Sequence, residues 1–141
     1  MTAPGFAVFD TAVGPCGLAW SERGVVGVQL PEKNERETRR RLRQRFPNLR
    51  EASPPADVRR AIEEIVALLR GEAADLSAIR LNMDGVPPFH RRVYEAARAI
   101  PPGLTFSYGE IATRLGAPRS ARAVGQALGK NPFPIVVPCH R

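Results

Sequence analysis

Pro138-Cys139-His140-Arg141 sets a thiol, an imidazole and a guanidinium on consecutive residues. The thiolate is the strong sulfur nucleophile, and a free thiol is only a few per cent ionised at neutral pH. A neighbouring imidazole and guanidinium favour the thiolate, and each pKa unit lowered is worth about 1.4 kcal/mol. Pro138 stiffens the approach, and Ile135-Val136-Val137 reads as a buried, strand-like run that anchors it. Taken alone, the same residues also fit a buried, inert cysteine at a strand end, because free cysteine is among the most buried residue types.

The residues upstream must position this group. Ser107-Tyr108-Gly109-Glu110 has the spacing of a capping box and opens a short helix through Leu115. Gly116-Ala117-Pro118 breaks it, and a second short helix runs from about Ser120 to Leu128 before Gly129. Two short helices across a Gly-containing turn form a helix-turn-helix pattern. At 100° per residue, Ala121, Val124, Gly125 and Leu128 share one face of the second helix, and Arg122, Gln126 and Gly129 share the other. One long cation among small residues lets such a helix approach a groove closely; the plainer reading is an exposed Arg on an ordinary helix. Asn131-Pro132-Phe133-Pro134 then forms a rigid turn.

In this order and spacing, Ser107-Tyr108-Gly109-Glu110, Ala121-Arg122-Ala123-Val124-Gly125, Asn131-Pro132 and Pro138-Cys139-His140-Arg141 resemble the signature of the O6-alkylguanine-DNA alkyltransferases. Phe89, Val93-Tyr94, Ile100-Pro101 and Gly103-Leu104-Thr105 fit the same family's catalytic domain. The resemblance is strong over residues 88–141 and loose over 1–87, where it rests on Gly17-Leu18-Ala19, Arg23-Gly24 and Gln29-Leu30-Pro31. It implies that Cys139 accepts the alkyl group and that His140 activates it through a bound water. It implies that Asn131 orders the active-site turn, with Pro138 and Arg141 as support. Arg122 would enter the base stack in place of an extruded guanine, and Tyr108 would help rotate the nucleotide. Ala121, Ala123, Gly125 and Gln126 would lie along the DNA. Extrusion is required because the O6 substituent is out of reach inside a duplex. The partner implied is double-stranded DNA containing O6-alkylguanine, with O4-alkylthymine as a further substrate, met from the minor groove. The product is a stable thioether, so each chain acts once as a monomer, without cofactor.

The family continues past the Arg of this motif with a Gly-rich loop and an acidic residue that orients the His. Against that pattern the sequence reads as truncated after Arg141. The expectation is a chain that holds DNA but transfers slowly. The alternative is a non-catalytic lesion-binding protein or an inactive remnant. A plain helix-turn-helix regulator would not need Pro138-Cys139-His140, and adjacent Cys and His are not the usual relation of nucleophile and base in thiol proteases.

Charge agrees with a nucleic-acid partner. The net charge is +7; residues 86–141 contribute +6 and residues 1–85 only +1. A basic C-terminal part suits a polyanion, although a merely soluble basic surface has the same composition. Cys16, Cys139, His90 and His140 have no metal-site spacing, so no metal is expected. No run is apolar enough to span a membrane, no signal peptide is evident, and two distant cysteines suit reduced thiols in the cytoplasm.

The N-terminal half supplies the remaining elements. Phe6–Phe9, Leu18–Trp20 and Val25–Leu30 read as strands, the last two joined by a turn at Ser21-Glu22-Arg23-Gly24. Asn34 caps a helix running to about Phe46 at the sheet edge, with Glu35–Arg39 and Glu37–Arg41 pairs and a narrow seam of Thr38, Leu42 and Phe46. A core helix follows Ser53-Pro54-Pro55, with Val58, Ile62, Ile65, Val66 and Leu69 at helical spacing up to Gly71. A short strand is expected at Ile79-Arg80-Leu81 and a linker at Asp84-Gly85-Val86-Pro87. The predicted architecture is therefore α/β. A small N-terminal domain (1–85, antiparallel sheet plus helices) precedes a mainly helical, winged-helix-like domain with a helix-turn-helix (86–141).

Overall fold

The computed structural model describes residues 3–100 and 104–137. Pro138, Cys139, His140 and Arg141 lie outside the described residues, as do Pro101, Pro102 and Gly103. The chain divides into two compact units, Met1–Asn82 and Met83–Arg141, three residues before the boundary expected from sequence.

The first unit is built on a three-stranded antiparallel sheet in the order β1 (Gly5–Thr11), β2 (Gly14–Ser21), β3 (Gly24–Gln29). Tight turns fix the register. Thr11 Oγ1 donates to the Gly14 carbonyl at 2.7 Å, and Ser21 Oγ accepts from the Arg23 amide at 3.2 Å. Leu18 then pairs with Ala7 on one side and Val28 on the other, and a bulge lies at Ala19/Trp20. The Trp20 ring is fully buried, and its Nε1 donates to the Ala3 carbonyl at 3.0 Å, which satisfies the indole.

Helix α1 (Glu35–Arg45) begins at Asn34, whose side chain accepts from the Glu37 amide. The helix lies across the sheet face, chiefly on β2, not at the sheet edge as the sequence suggested. The reason is local. Gly17 has no side chain, and a Cβ there would stand 2.2 Å from Leu42 Cδ1. Leu42 therefore sinks into the sheet and joins Phe6 and Ala19 in a buried cluster edged by Val8, Val26, Phe46 and Leu49. Glu35 pairs with Arg39 at 3.1 Å as expected, but Glu37 pairs with Arg40, three residues on, at 3.6 Å and not with Arg41. Arg39 is also held by Glu51 at 2.8 Å.

Helix α2 (Ala56–Leu69) packs on β1 and buries Val58, Ala61 and Ile65; Ile62, Val66 and Leu69 are only half-buried. The strand expected at Ile79–Leu81 is a single bridge. Val25 donates to the Arg80 carbonyl at 2.9 Å and accepts from Asn82 at 2.8 Å, which covers a short part of the edge of β3.

The second unit has three helices among its described residues: α3 (Pro88–Arg98), α4 (Tyr108–Arg114) and α5 (Ala121–Gly129). Each packs on the other two. Its described residues contain no strand. The chain as a whole is α/β, an antiparallel sheet with helices followed by a helical unit.

Candidate functional site

The helix-turn-helix is α4–α5. Ser107 and Glu110 form both halves of the capping box: Ser107 Oγ accepts from the Glu110 amide at 3.1 Å, and Glu110 Oε1 accepts from the Ser107 amide at 2.9 Å. That backbone hydrogen bond, helped by the Ser107 hydroxyl and by Arg114, holds the Glu110 carboxyl below the usual range, so it stays ionised at the helix start. The chain reverses at Gly116, with φ 75°, a left-handed conformation that suits glycine.

Helix α5 buries Val124, Ala127 and Leu128 and exposes Arg122, Gln126 and Gly129. Arg122 therefore stands on the outer face, as the 100° spacing requires. Arg119 and Lys130 are exposed beside the two ends of the same helix. Arg114, also exposed, sits over the Phe106 ring at 4.1 Å from its centroid. Ala121 and Ala123 are half-buried.

Gly125 has a role in packing that the sequence did not reveal. A Cβ at this position would stand 2.8 Å from Tyr108 Cε2 and 3.0 Å from Cδ2. The missing side chain lets the half-buried Tyr108 ring lie against α5, which places Tyr108 and Arg122 on one helix pair. The structure thus brings Tyr108 and Gly125 together and leaves Arg122 and Gln126 projecting outward.

Two further residues fix this pair: Tyr94, which the sequence marked only as part of the family resemblance, and Arg92, which it did not mark. Tyr94 on α3 is buried, and its hydroxyl donates to the Ala127 carbonyl at 2.7 Å. Burial raises the Tyr94 pKa, so the hydroxyl remains a donor at neutral pH. Arg92 on the same helix donates to the Leu115 carbonyl at the end of α4. A buried Tyr within an amphipathic helix was the available signal, since its hydroxyl needs a partner.

After α5 the chain makes a closed turn. Asn131 Oδ1 accepts from the Phe133 amide at 2.8 Å, and Asn131 Nδ2 donates to the Val137 carbonyl at 2.8 Å. One side chain therefore ties the beginning of the turn to its end. Val137 also donates to the Phe133 carbonyl at 2.8 Å. Phe133, Val136 and Val137 are buried and anchor it. The strand-like run expected at Ile135–Val137 is therefore a turn. Its β-branched residues answer to Pro134, the Asn131 clip and a left-handed Ile135, and no partner strand is present among the described residues. The turn leads directly to Pro138-Cys139-His140-Arg141, which lie outside the described residues.

Cys16, the other thiol, is fully buried in β2 and 3.6 Å from Thr11 Oγ1. Burial pushes its pKa up, more than the Thr11 contact lowers it, so it is a poor nucleophile. Among the described residues no cluster of His, Cys, Asp or Glu could hold a metal, and no helix is long and apolar enough to cross a membrane. A cavity of about 250 Å³ in the first unit is lined by Val25, Val58, Ala61 and Ile79 among others, and none of the predicted site residues borders it.

Residues 88–141 match the family described as 6-O-methylguanine DNA methyltransferase, DNA binding domain. A methylated-DNA–protein-cysteine methyltransferase of Mycolicibacterium paratuberculosis is 52% identical over 81 residues, covering 57% of this chain but 48% of the relative. The chain thus spans about half of that relative's length. A protein of the same name from Mycobacterium bovis is 34% identical over 136 residues, covering 96% of this chain and 76% of the relative. The crystal structure of Mycobacterium tuberculosis OGT in complex with DNA superposes with a TM-score of 0.71 at 33% identity, covering 96% of this chain and 76% of that one. With likeness of this extent in sequence and in fold, the chain belongs to the methylated-DNA–protein-cysteine methyltransferase family.

Proposed function

We propose that this protein repairs DNA directly, moving a methyl or other alkyl group from O6-alkylguanine in double-stranded DNA onto Cys139. The observation that carries the reading is the order of parts along the second unit. A helix pair opened by a capping box exposes Arg122, and a turn tied by Asn131 follows at once and runs into Pro138-Cys139-His140-Arg141.

In the transfer, the Cys139 thiolate attacks the alkyl carbon. A sulfur–carbon bond forms as the carbon–O6 bond breaks, its electron pair passes to the guanine, and the guanine takes up a proton. His140 removes the thiol proton through water, and no further reactant enters the balance. The product thioether is stable, so one chain accepts one group. The base must leave the stack to be reached. Arg122 fills the space it vacates, Tyr108 assists its rotation, and the small residues Ala121, Ala123 and Gly125 with Gln126 let α5 lie in the minor groove. O4-alkylthymine presents a similar alkyl oxygen and is a second substrate of the same step. The protein acts as a monomer. Support comes from the names of the relatives, from the solved relative with DNA and from the exposed cations on and beside α5, Arg119, Arg122 and Lys130.

The test mixes the full chain with duplex DNA bearing O6-methylguanine and follows both partners. Loss of the lesion matched by one methyl group per protein supports the proposal. Tight binding to the lesion without loss of the methyl group would replace it with a binding role.

A further inference from the structure

Ile135 has φ 78°, alone in this region among the described residues that are not glycine. A β-branched residue there is an outlier, because its side chain crowds the backbone. Such strain persists only where the surroundings over-determine it. Here they do. Asn131 holds Phe133 on one side and Val137 on the other, each at 2.8 Å. The Val137 amide closes onto the Phe133 carbonyl at 2.8 Å. The flanking anchors Phe133 and Val137 are fully buried and Val136 is 3% exposed, whereas Ile135 itself is only half-buried. The left-handed residue reverses the chain inside this clip, between the anchors, two residues before Val137 hands the chain to Pro138 and Cys139.

We infer that Ile135 is a positioning residue for Cys139: its left-handed backbone, fixed by the Asn131 clip, sets the direction in which the chain leaves Val137. The inference rests on the proposed role of Cys139. The conformation carries the function, and the side chain is incidental to it.

Three variants separate conformation from side chain: Ile135→Gly, Ile135→Ala and Ile135→Pro. Glycine accepts positive φ freely, alanine accepts it under strain, and proline is locked near −65° and cannot adopt it. In urea denaturation the glycine variant is expected to be the more stable of the first two, by roughly five- to thirty-fold in the unfolding equilibrium. This reverses the ordinary order at a regular position. Both variants should keep the wild-type rate of Cys139 carboxamidomethylation by iodoacetamide, followed by peptide mass. The proline variant should react slower by about fivefold or more, and slower by roughly a hundredfold in single-turnover transfer from free O6-benzylguanine. Its affinity for undamaged duplex DNA should be unchanged, which a general loss of structure would not allow.

An alanine variant more stable than the glycine variant would overturn the left-handed assignment. Equal iodoacetamide rates in the proline and wild-type chains would overturn the positioning role, and so would equal losses in the glycine and alanine variants. If the proline variant does not fold, the order of the other two and their rates still decide. A wild-type chain inert to O6-benzylguanine, with the iodoacetamide order intact, would sink the proposed function and leave this inference standing.

Discussion

Replacing Gly125 by alanine tests whether the Tyr108 ring truly rests on α5. Two effects oppose each other. Alanine gains about 0.8–1.0 kcal/mol over glycine from helix propensity. The new Cβ would stand 2.8 Å from Tyr108 Cε2, so the ring or helix α4 must shift. Overpacking of this kind costs about 1–3 kcal/mol. The net effect of Gly125→Ala should therefore lie between neutral and about 2 kcal/mol destabilising. If the ring is first removed by Tyr108→Ala, only the propensity gain remains, and Gly125→Ala should stabilise by about 1 kcal/mol. Urea denaturation of the four proteins of this cycle gives the coupling, expected at about 1–3 kcal/mol. Effects that add to within about 0.5 kcal/mol would refute the contact and the reason given for a glycine at this position.

Arg122→Ala should slow repair of duplex DNA far more than reaction with free O6-benzylguanine, since only the duplex requires extrusion; equal losses would make Arg122 a structural residue. Asn131→Ala removes two hydrogen bonds and strands Val137 O and Phe133 N; a loss of about 1–3 kcal/mol in urea denaturation is expected, and a change under about 0.5 kcal/mol would show that the clip does not hold the turn. Tyr94→Phe leaves the packing and removes the hydroxyl bond to Ala127, at about 0.5–1.5 kcal/mol, and a variant as stable as the parent would argue against that bond. The raised pKa of buried Cys16 has a signed consequence: the folded state holds its proton longer, so this contribution is complete below the ordinary thiol value of 9.0 and is lost as pH rises through the folded value. Unfolding measured from neutral to alkaline pH should show a decline that sets in above 9.0 and that Cys16→Ala flattens; identical profiles would reject the assignment.

Local signals in the sequence located most elements. Ser107 and Glu110 announced the start of α4, Asn34 the start of α1, and the 100° spacing put Arg122 outside and Val124 and Leu128 inside. What escaped depends on contacts between distant residues. Gly17 decides that α1 lies on the sheet face, and it is twenty-five positions from the Leu42 that fills its space. Three β-branched or aliphatic residues in a row, Ile135-Val136-Val137, favour a strand until the Asn131 side chain closes them into a turn. Ile79-Arg80-Leu81 has strand composition, but it meets β3 through one bridge only. Tyr94 was visible from sequence only as part of the family resemblance, whereas its hydroxyl bonds to α5. The family was legible because its motifs, Pro138-Cys139-His140-Arg141 and the helix pair, are specified by residue type and spacing, which need no long-range contact to read.

Cys139 is the proposed acceptor of the alkyl group. Intact-mass and peptide-mass analysis of the chain after reaction with duplex DNA containing O6-methylguanine tests it most directly. One added methyl group per chain is expected, on the peptide that contains Cys139, with buried Cys16 unmodified. A methyl group on Cys16, more than one group per chain, or an unchanged mass beside a repaired lesion would contradict it.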